Sequence, residues 1–403
     1  MNILLINPTH PSTPHISAVR AWRFATELSA LGHCVVFLTA TQQNDPETSI
    51  KSVANHDWTQ PFVLACETGS REESDLPRFL HKMLTIWYML SYGGRQRDWL
   101  FNAIQAIKDF EDFFVPDVIW TTFGKMEAVV AAKKIAINSK CPWIFDIKDN
   151  WELYVPPGLR HLMVWRTRGW SAIATNAKFT ADKALMWQKT KATVIYSGVD
   201  VVFFTRNDIY TEQVFAINLL GGIYFAEHLK SFLGGIVIWL NQFSSGQRPK
   251  VKVRYLGGDT QRVSEVAKCY SELAIEIVGY VNTNVMAKYC QDADVNVYIA
   301  HSGTFHHKLL ELLACGRPIM VIPKEKQESY DLVSQVAGVL IEVKDSEAVS
   351  LYLSELYQSW LSGSNQFPVS SELIRYYSWT NQTKLLEQVL IDVVSLATPE
   401  EKL

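Results

Sequence analysis

The chain has 403 residues, 48% hydrophobic and 20% charged, enough for roughly two to three domains that each bury a core. Lys plus Arg total 38 against 41 Asp plus Glu, and a net charge of −3 excludes a nucleic-acid-binding surface spread over the whole protein. The six cysteines (34, 66, 141, 269, 290, 315) show no Cys-x-x-Cys and no His/Cys ligand spacing, which reads as reduced thiols in a cytosolic chain rather than a disulfide framework or a zinc site.

The opening MNILLINPTHP has no basic n-region and soon reaches a proline, so it reads as a first strand and not as a signal peptide. Ile3–Ile6 is that predicted strand. A helix from about Ser17 to Leu31 follows, Gly32-His33 stops it, and Cys34–Thr39 is a second strand. Further strands are predicted at Val118–Thr121, Trp143–Ile147, Ala172–Ala174 and Val194–Tyr196, with helices near 124–138 and 177–188. The pattern pauses at Phe204-Thr205-Arg206-Asn207. It restarts with predicted strands at Phe215–Leu220, Val253–Leu256, Ile275–Val278, Val295–Ile299 and Pro318–Ile322. Apolar strands alternating with helices imply parallel sheets covered on both faces, so the expected class is α/β with two Rossmann-like domains. The expected division is 1–205, 206–375 and a final helix over 376–403, with ligands at the carboxyl ends of the strands in a cleft. The longest apolar run, Phe232–Leu240, is about half of what a bilayer-spanning helix needs.

The sharpest chemistry lies in SGTFHHKLLELLACGRPIMVIP, residues 302–323. Ser302-Gly303-Thr304 reads as a loop and N-cap, Phe305 to Ala314 as a helix, and Gly316 as its stop. His306, His307 and Lys308 then fall in the first turn, where positive charge opposes the helix macrodipole unless an anion sits there. Glu311 shares a face with His307 and Lys308, and a carboxylate there can accept hydrogen bonds from vicinal hydroxyls. Phosphate plus diol describes a nucleotide. The bland reading is a solvated first turn with Glu311 paired to Lys308.

Lys308-Leu-Leu-Glu311-Leu-Leu-Ala-Cys-Gly316-Arg-Pro318 resembles the donor-site helix of retaining GT-B-fold glycosyltransferases, family 4 in particular, whose usual pattern is K-x-x-E-x-x-A-x-G-x-P. Other stretches match in order. INPTHP…AVRAWRFATELSALGH is similar to the first strand, loop and helix of the acceptor domain. CPWIFDIKDNW is similar to the D-x-R-D-x-W segment, with Lys148 in the arginine's place. VIYSGVD resembles the N-G-V-D turn before the interdomain linker, and VGYV followed by DADVNVYIA the base-binding strand region. SWTNQTKLLEQVL resembles the final helix, which in this family returns towards the first domain.

The resemblance implies a GT-B fold, two Rossmann-like parallel-sheet domains facing across a cleft. It implies a nucleotide-sugar donor held by Glu311 at the ribose, with His307, Thr304, Phe305, Gly279 and Tyr280 around it. The first glutamate of the family's E-x7-E motif would fall at Gly303 and is absent. The loop LLGGIYFAEHLK keeps Gly222 for close backbone approach but has a glycine at the usual arginine position, leaving His228 or Lys230 as substitutes and Lys308 as the main cation for the leaving diphosphate. The usual front-face mechanism needs no side-chain base and no metal, and no D-x-D is presented between strands. The expected cofactor is therefore none.

On the acceptor side, His10, His15 and Ser17 are candidates to line the cleft or residues that only punctuate a turn. Arg20 opens the next helix and would meet an anion. Asp146 and Asp149 flank the end of a strand and are candidate catalytic groups, the alternative for Asp149 being a helix N-cap. Trp151 would stack on a sugar or pack. Ten of thirteen tryptophans precede residue 190, and two stretches, 77–99 and 160–170, mix them with bases. Such a face suits an anionic membrane surface carrying a lipid-linked acceptor, the alternative being core helices with solvated rims.

The sequence thus points to a cytoplasmic glycosyltransferase, peripheral on the inner face of the membrane, moving a sugar from a UDP- or GDP-sugar to a hydroxyl of a glycan or lipid-linked acceptor in surface polysaccharide biosynthesis. The alternatives are a non-catalytic GT-B partner subunit and a nonhydrolysing 2-epimerase. No strand is followed by G-x-G-x-x-G, which argues against a dinucleotide oxidoreductase.

Overall fold

The computed structural model describes the chain apart from residues 14, 43–49, 70–76, 154, 205–213, 302–304, 335, 337, 365 and 398–403. It divides into two units, Met1–Gly198 with Trp379–Leu403, and Val199–Ser378.

Unit 1 is built on β1 (Asn2–Ile6), β2 (Cys34–Ala40), β3 (Phe62–Cys66), β4 (Val118–Thr122), β5 (Trp143–Ile147), β6 (Ala172–Thr175) and β7 (Thr193–Val194). They form one sheet in the order β3-β2-β1-β4-β5-β6-β7, and every pairing is parallel. Its helices are α1 (Ile16–Ala30), α2 (Arg78–Tyr92), α3 (Arg97–Asp109), α4 (Met126–Ser139), α5 (Arg160–Thr167) and α6 (Lys178–Gln188). Unit 2 has β8 (Phe215–Leu220), β9 (Val251–Leu256), β10 (Ile275–Ile277), β11 (Val295–Ile299), β12 (Ile319–Ile322) and β13 (Leu340–Glu342), again all parallel, in the order β10-β9-β8-β11-β12-β13. Around it lie α7 (Ala226–Leu240), α8 (Thr260–Ala267), α9 (Thr283–Asp292), α10 (Lys308–Ala314), α11 (Gln327–Val333), α12 (Ser346–Leu361) and α13 (Ser371–Tyr376). The last helix, α14 (Trp379–Ala397), belongs to unit 1.

The central strands are apolar runs because both of their faces are covered. Ile3 and Leu5 point to the side of α1 and α14, Leu4 and Ile6 to the side of α3 and α4. On α1, Ala18, Ala21, Phe24, Ala25 and Leu28 fall on one helical face and are buried. Phe24 meets Trp379 edge to face at 5.4 Å, so α14 completes the same core with Leu386, Leu390 and Val393.

Three differences from the sequence expectation have physical causes. The chain leaves unit 1 at Gly198, not near 205, because Val199 bridges to Ser378 and the 3-10 turn Val201–Phe203 packs on α9 and α10. Strands β3 and β13, which the sequence reading did not include, are short runs (FVLAC and LIE) at sheet edges, each only partly buried. Helix α10 begins at Lys308, so Phe305, His306 and His307 precede it and only Lys308 stands in its first turn.

Candidate functional site

In each sheet the strand order reverses beside the first strand of the unit, at β1/β4 and at β8/β11. Ligands of parallel α/β sheets bind outside the carboxyl ends of the strands at such points. In unit 2 that point is occupied by Lys308. Its Nζ donates to the Leu220 carbonyl, the last of β8, at 3.3 Å and lies 6.0 Å from the Tyr298 ring centroid. The approach requires Gly221, which has φ +81°: a Cβ there would sit 1.6 Å from Nζ. Burial lowers the Lys308 pKa to about 8, with Glu311, Cys290 and Glu325 pulling it back up. A cation partly stripped of water and held by one carbonyl is poised to gain from an anion.

Glu311 lies one turn along α10 and is half-buried, its Oε1 3.5 Å from His307 Nε2. The bland pairing of Glu311 with Lys308 is not the arrangement among the described contacts. Instead the acid faces the histidine and the ammonium faces β8. The loop after β8 is fixed from below. Tyr255 Oη donates to the Gly221 carbonyl at 2.9 Å, Asp259 Oδ2 accepts from Ile223 N at 2.7 Å, and the Arg262 guanidinium donates to the Ile223 carbonyl. Gly222 has ordinary room for a side chain, so the close approach belongs to Gly221. Gly279 (φ +83°) and the exposed Tyr280 follow β10, where the Gly279 carbonyl accepts from Gly257 N at 3.0 Å.

Behind Lys308 lies a buried polar network that the sequence did not announce. His301 N–H donates to His306 Nε2 at 2.9 Å, which leaves the ring proton on Nδ1, donated to Glu325 Oε1 at 2.7 Å. Tyr298 Oη donates to the same oxygen at 2.8 Å, while Ser329 Oγ and Lys326 N supply the other oxygen at 3.0 and 3.1 Å. Burial alone would raise the Glu325 carboxyl, but His306 and Tyr298 outweigh it and hold the pKa below the ordinary value. Phe305 is buried beside this network. His301 stacks on Phe225 at 5.7 Å, and His228 meets Phe225 edge to face at 5.5 Å, so His228 joins a ring cluster. Lys230 is exposed on α7, and the structure gives its ammonium no described contact with this site. Thr304 lies outside the described residues.

In unit 1 several expectations change. Asp146 does not face solvent: it is 0% exposed and takes a forked pair of hydrogen bonds from Arg20, Nε to Oδ2 at 3.1 Å and an Nη to Oδ1 at 2.9 Å. Arg20 also donates to Ser197 Oγ at 3.3 Å and stands over Phe24. Two charges expected to meet ligands neutralise each other, because neither remains buried without a partner. Trp151 is buried too, packed edge to face on Trp187 at 5.3 Å, and offers no platform for a sugar. Asp149 is no N-cap. Asn150 Oδ1 accepts from Glu152 N, and Asp149 pairs with the buried Lys148 at 3.1 Å.

His10 closes a turn through Ser12, with Nδ1 2.8 Å from Ser12 Oγ. His15 caps α1 by accepting from Ser17 N at 3.1 Å, and desolvation followed by the Lys148 charge lowers its pKa. Ser17 Oγ is buried with no hydrogen-bond partner among the described residues and lies 3.1 Å from where a Gly124 Cβ would stand. His15, Ser17, Lys148 and Asp149 therefore gather at the β1/β4 end of the sheet, while Arg20, Asp146 and Trp151 support it from within. Among the described residues no group of three His, Cys, Asp or Glu is arranged to hold a metal ion.

Comparison with known proteins bears on unit 2 most directly. Residues 227–359, from α7 into α12, match the family model described as glycosyl transferases group 1. No curated protein matches the chain in sequence. Similar solved structures include Anabaena HepE in complex with UDP and glucose, with TM-score 0.66 and 12% identity over 97% of this chain and 100% of that one. Sucrose-phosphate synthase from Thermosynechococcus elongatus superposes at 0.69 with 14% identity, covering 98% and 99%. The UDP-GlcNAc 2-epimerase from Methanocaldococcus jannaschii does so at 0.58 with 11% identity, covering 97% and 100%. Identities this low establish architecture alone. Two parallel α/β units, matched over nearly the whole chain by these structures, make this a GT-B fold whose second unit carries a segment similar to group 1 glycosyl transferases.

Proposed function

We propose that the protein is a retaining glycosyltransferase that moves a sugar from a nucleotide-diphosphate sugar to a hydroxyl of a glycan or lipid-linked acceptor, in surface polysaccharide or glycoconjugate biosynthesis. The observation that carries this reading is the Lys308 ammonium seated on the Leu220 carbonyl beside Gly221, with Glu311 one turn further along α10. A nucleoside diphosphate bound there has a cation at its phosphates and a carboxylate for its ribose hydroxyls. Gly279 and Tyr280 line the end of β10 for the base. In the transfer the bond from the sugar's anomeric carbon to the diphosphate breaks and one to the acceptor oxygen forms on the same face. The acceptor's proton passes to the departing diphosphate. The work of the protein is then to stabilise negative charge on the leaving group, which is the task of Lys308, with no metal required. Asp149, His15 and Ser17 are the groups of unit 1 that this reading assigns to the acceptor. The reading is consistent with HepE, which binds UDP and UDP-glucose.

Calorimetric titration with UDP, GDP, ADP and dTDP in metal-free buffer tests it. Selective binding of one diphosphate is the expected outcome and names the donor base. Binding of none would make the chain a non-catalytic GT-B subunit.

A further inference from the structure

We propose that the face of unit 1 formed by α2 and the adjoining α5 docks on an anionic lipid bilayer. This goes beyond the transferase reading and stands on unit 1 alone. Among the described side chains of α2, Met89 and Tyr92 pack against the core. Phe79, Leu80, Met83, Leu84 and Trp87 recur at helical spacing on another arc, and all five are exposed, Phe79 at 70% and Trp87 at 60%. Single exposed apolar side chains are ordinary, but a contiguous set on one helix marks an interaction surface. Helix α5 extends it. The Arg166 guanidinium donates to the Ser91 carbonyl and ties α5 to the last turn of α2. Beside it Trp165 is 64% exposed and Leu162 is exposed as well.

Charge selects the occupant. From Pro77 to Arg97 there is no Asp or Glu, the nearest acids in sequence being Asp75 before it and Asp98 after it, while Lys82 stands exposed on α2 and Arg95 and Arg97 follow it. From Leu153 to Ala181 there is again no acid, and Arg160, Arg166, Arg168 and Lys178 are present. A second copy of this face would bring like charges together, and a basic partner would be repelled. Aromatic and leucine side chains on segments that carry more cations than acids fit the boundary between acyl chains and anionic headgroups, with α2 lying in the plane of the surface. Among the described residues no helix is long and apolar enough to cross a membrane, so the contact is superficial.

Co-sedimentation of the whole chain with vesicles of phosphatidylcholine, and of phosphatidylcholine mixed with phosphatidylglycerol, tests the proposal. The wild type should bind the mixed vesicles and bind them less as salt rises. The double variant Phe79→Ser/Trp87→Ser should bind them at least about tenfold more weakly, since two inserted rings are lost. Its circular dichroism and melting temperature should be unchanged, because both side chains are already in water. Lys82→Glu, at an exposed position of α2, should weaken binding to the mixed vesicles several-fold without altering UDP titration. Failure of the wild type to bind mixed vesicles, or equal binding by the double variant, would overturn the proposal. A concentration-dependent dimer that the double variant dissolves, with no vesicle binding, would assign the face to a second copy instead. None of these outcomes alters what the nucleotide titration reports.

Discussion

Lys308 loses hydration with no carboxylate at ion-pair distance among the described residues, only the more distant pull of Glu311 and Glu325, and its lowered pKa of about 8 makes the proposed donor site sensitive to mild alkali. The ammonium is present below that value and lost above it. Affinity for a nucleoside diphosphate should therefore be flat near neutrality and fall roughly tenfold per pH unit above about 8, until the bound anion's own stabilisation of the charge is exhausted. Titration calorimetry across pH 7 to 10 reads this directly, and a flat profile would remove Lys308 from the phosphates. Glu311→Ala should weaken diphosphate binding by roughly 10- to 100-fold, the value of losing charge-assisted hydrogen bonds to two hydroxyls, while leaving the melting temperature near that of the wild type. The spacing of Lys308 and Glu311 made both visible in the sequence. The Leu220 carbonyl was not visible, because a main-chain oxygen has no residue-type signature. Arg20 and Asp146 were misleading for a related reason. Each stands where a ligand-binding charge would stand, and only the fold shows that residues 126 positions apart neutralise each other.

The elements around the site owe their precision to groups that touch no ligand. His301 and His306 are tied to Glu325 by the His306–Glu325 pair, which reaches from just before α10 to the loop after β12. Glu325→Gln removes a buried carboxylate that accepts from four groups, and should cost about 1–3 kcal/mol near pH 7, measured by urea unfolding. The folded-state pKa is depressed, so this contribution is present above the ordinary value of 4.5 and is lost as pH falls below it. Wild type and variant should therefore converge in acid. Central strands such as β1, β8 and β11 could be read from the sequence because burial on both faces leaves a continuous apolar run. The edge strands β3 and β13 were missed for different reasons: β3 is the apolar run FVLAC and was overlooked, whereas β13 is only the three residues LIE and does not stand out from its surroundings. Helix α2 was legible as the basic, aromatic stretch 77–99, but not which way it faces: most of its described apolar side chains point away from the core.

At the scale of the molecule, the two units are built alike but connected unequally. Unit 2 is a single stretch of chain, whereas unit 1 closes its core with α14 from the far end of the sequence. Trp379, Leu386, Leu390 and Val393 bury apolar surface worth on the order of 10 kcal/mol, comparable to the whole stability margin of a domain. A chain ending at Ser378 should accordingly lose hydrogen-exchange protection across β1, β2 and β4 while β8, β9 and β11 keep theirs. Uniform protection in both sheets would show that α14 is dispensable.

The split composition of unit 1 also sets an order of events on the ribosome. Residues 1–198 emerge first with Phe24, Ile3 and Leu5 lacking their cover from α14, and they wait while residues 199–378 are made. At bacterial-to-eukaryotic synthesis rates that wait is roughly 10 to 40 s. Through all of it the nascent amino-terminal sheet keeps one apolar face without the cover that the last helix brings.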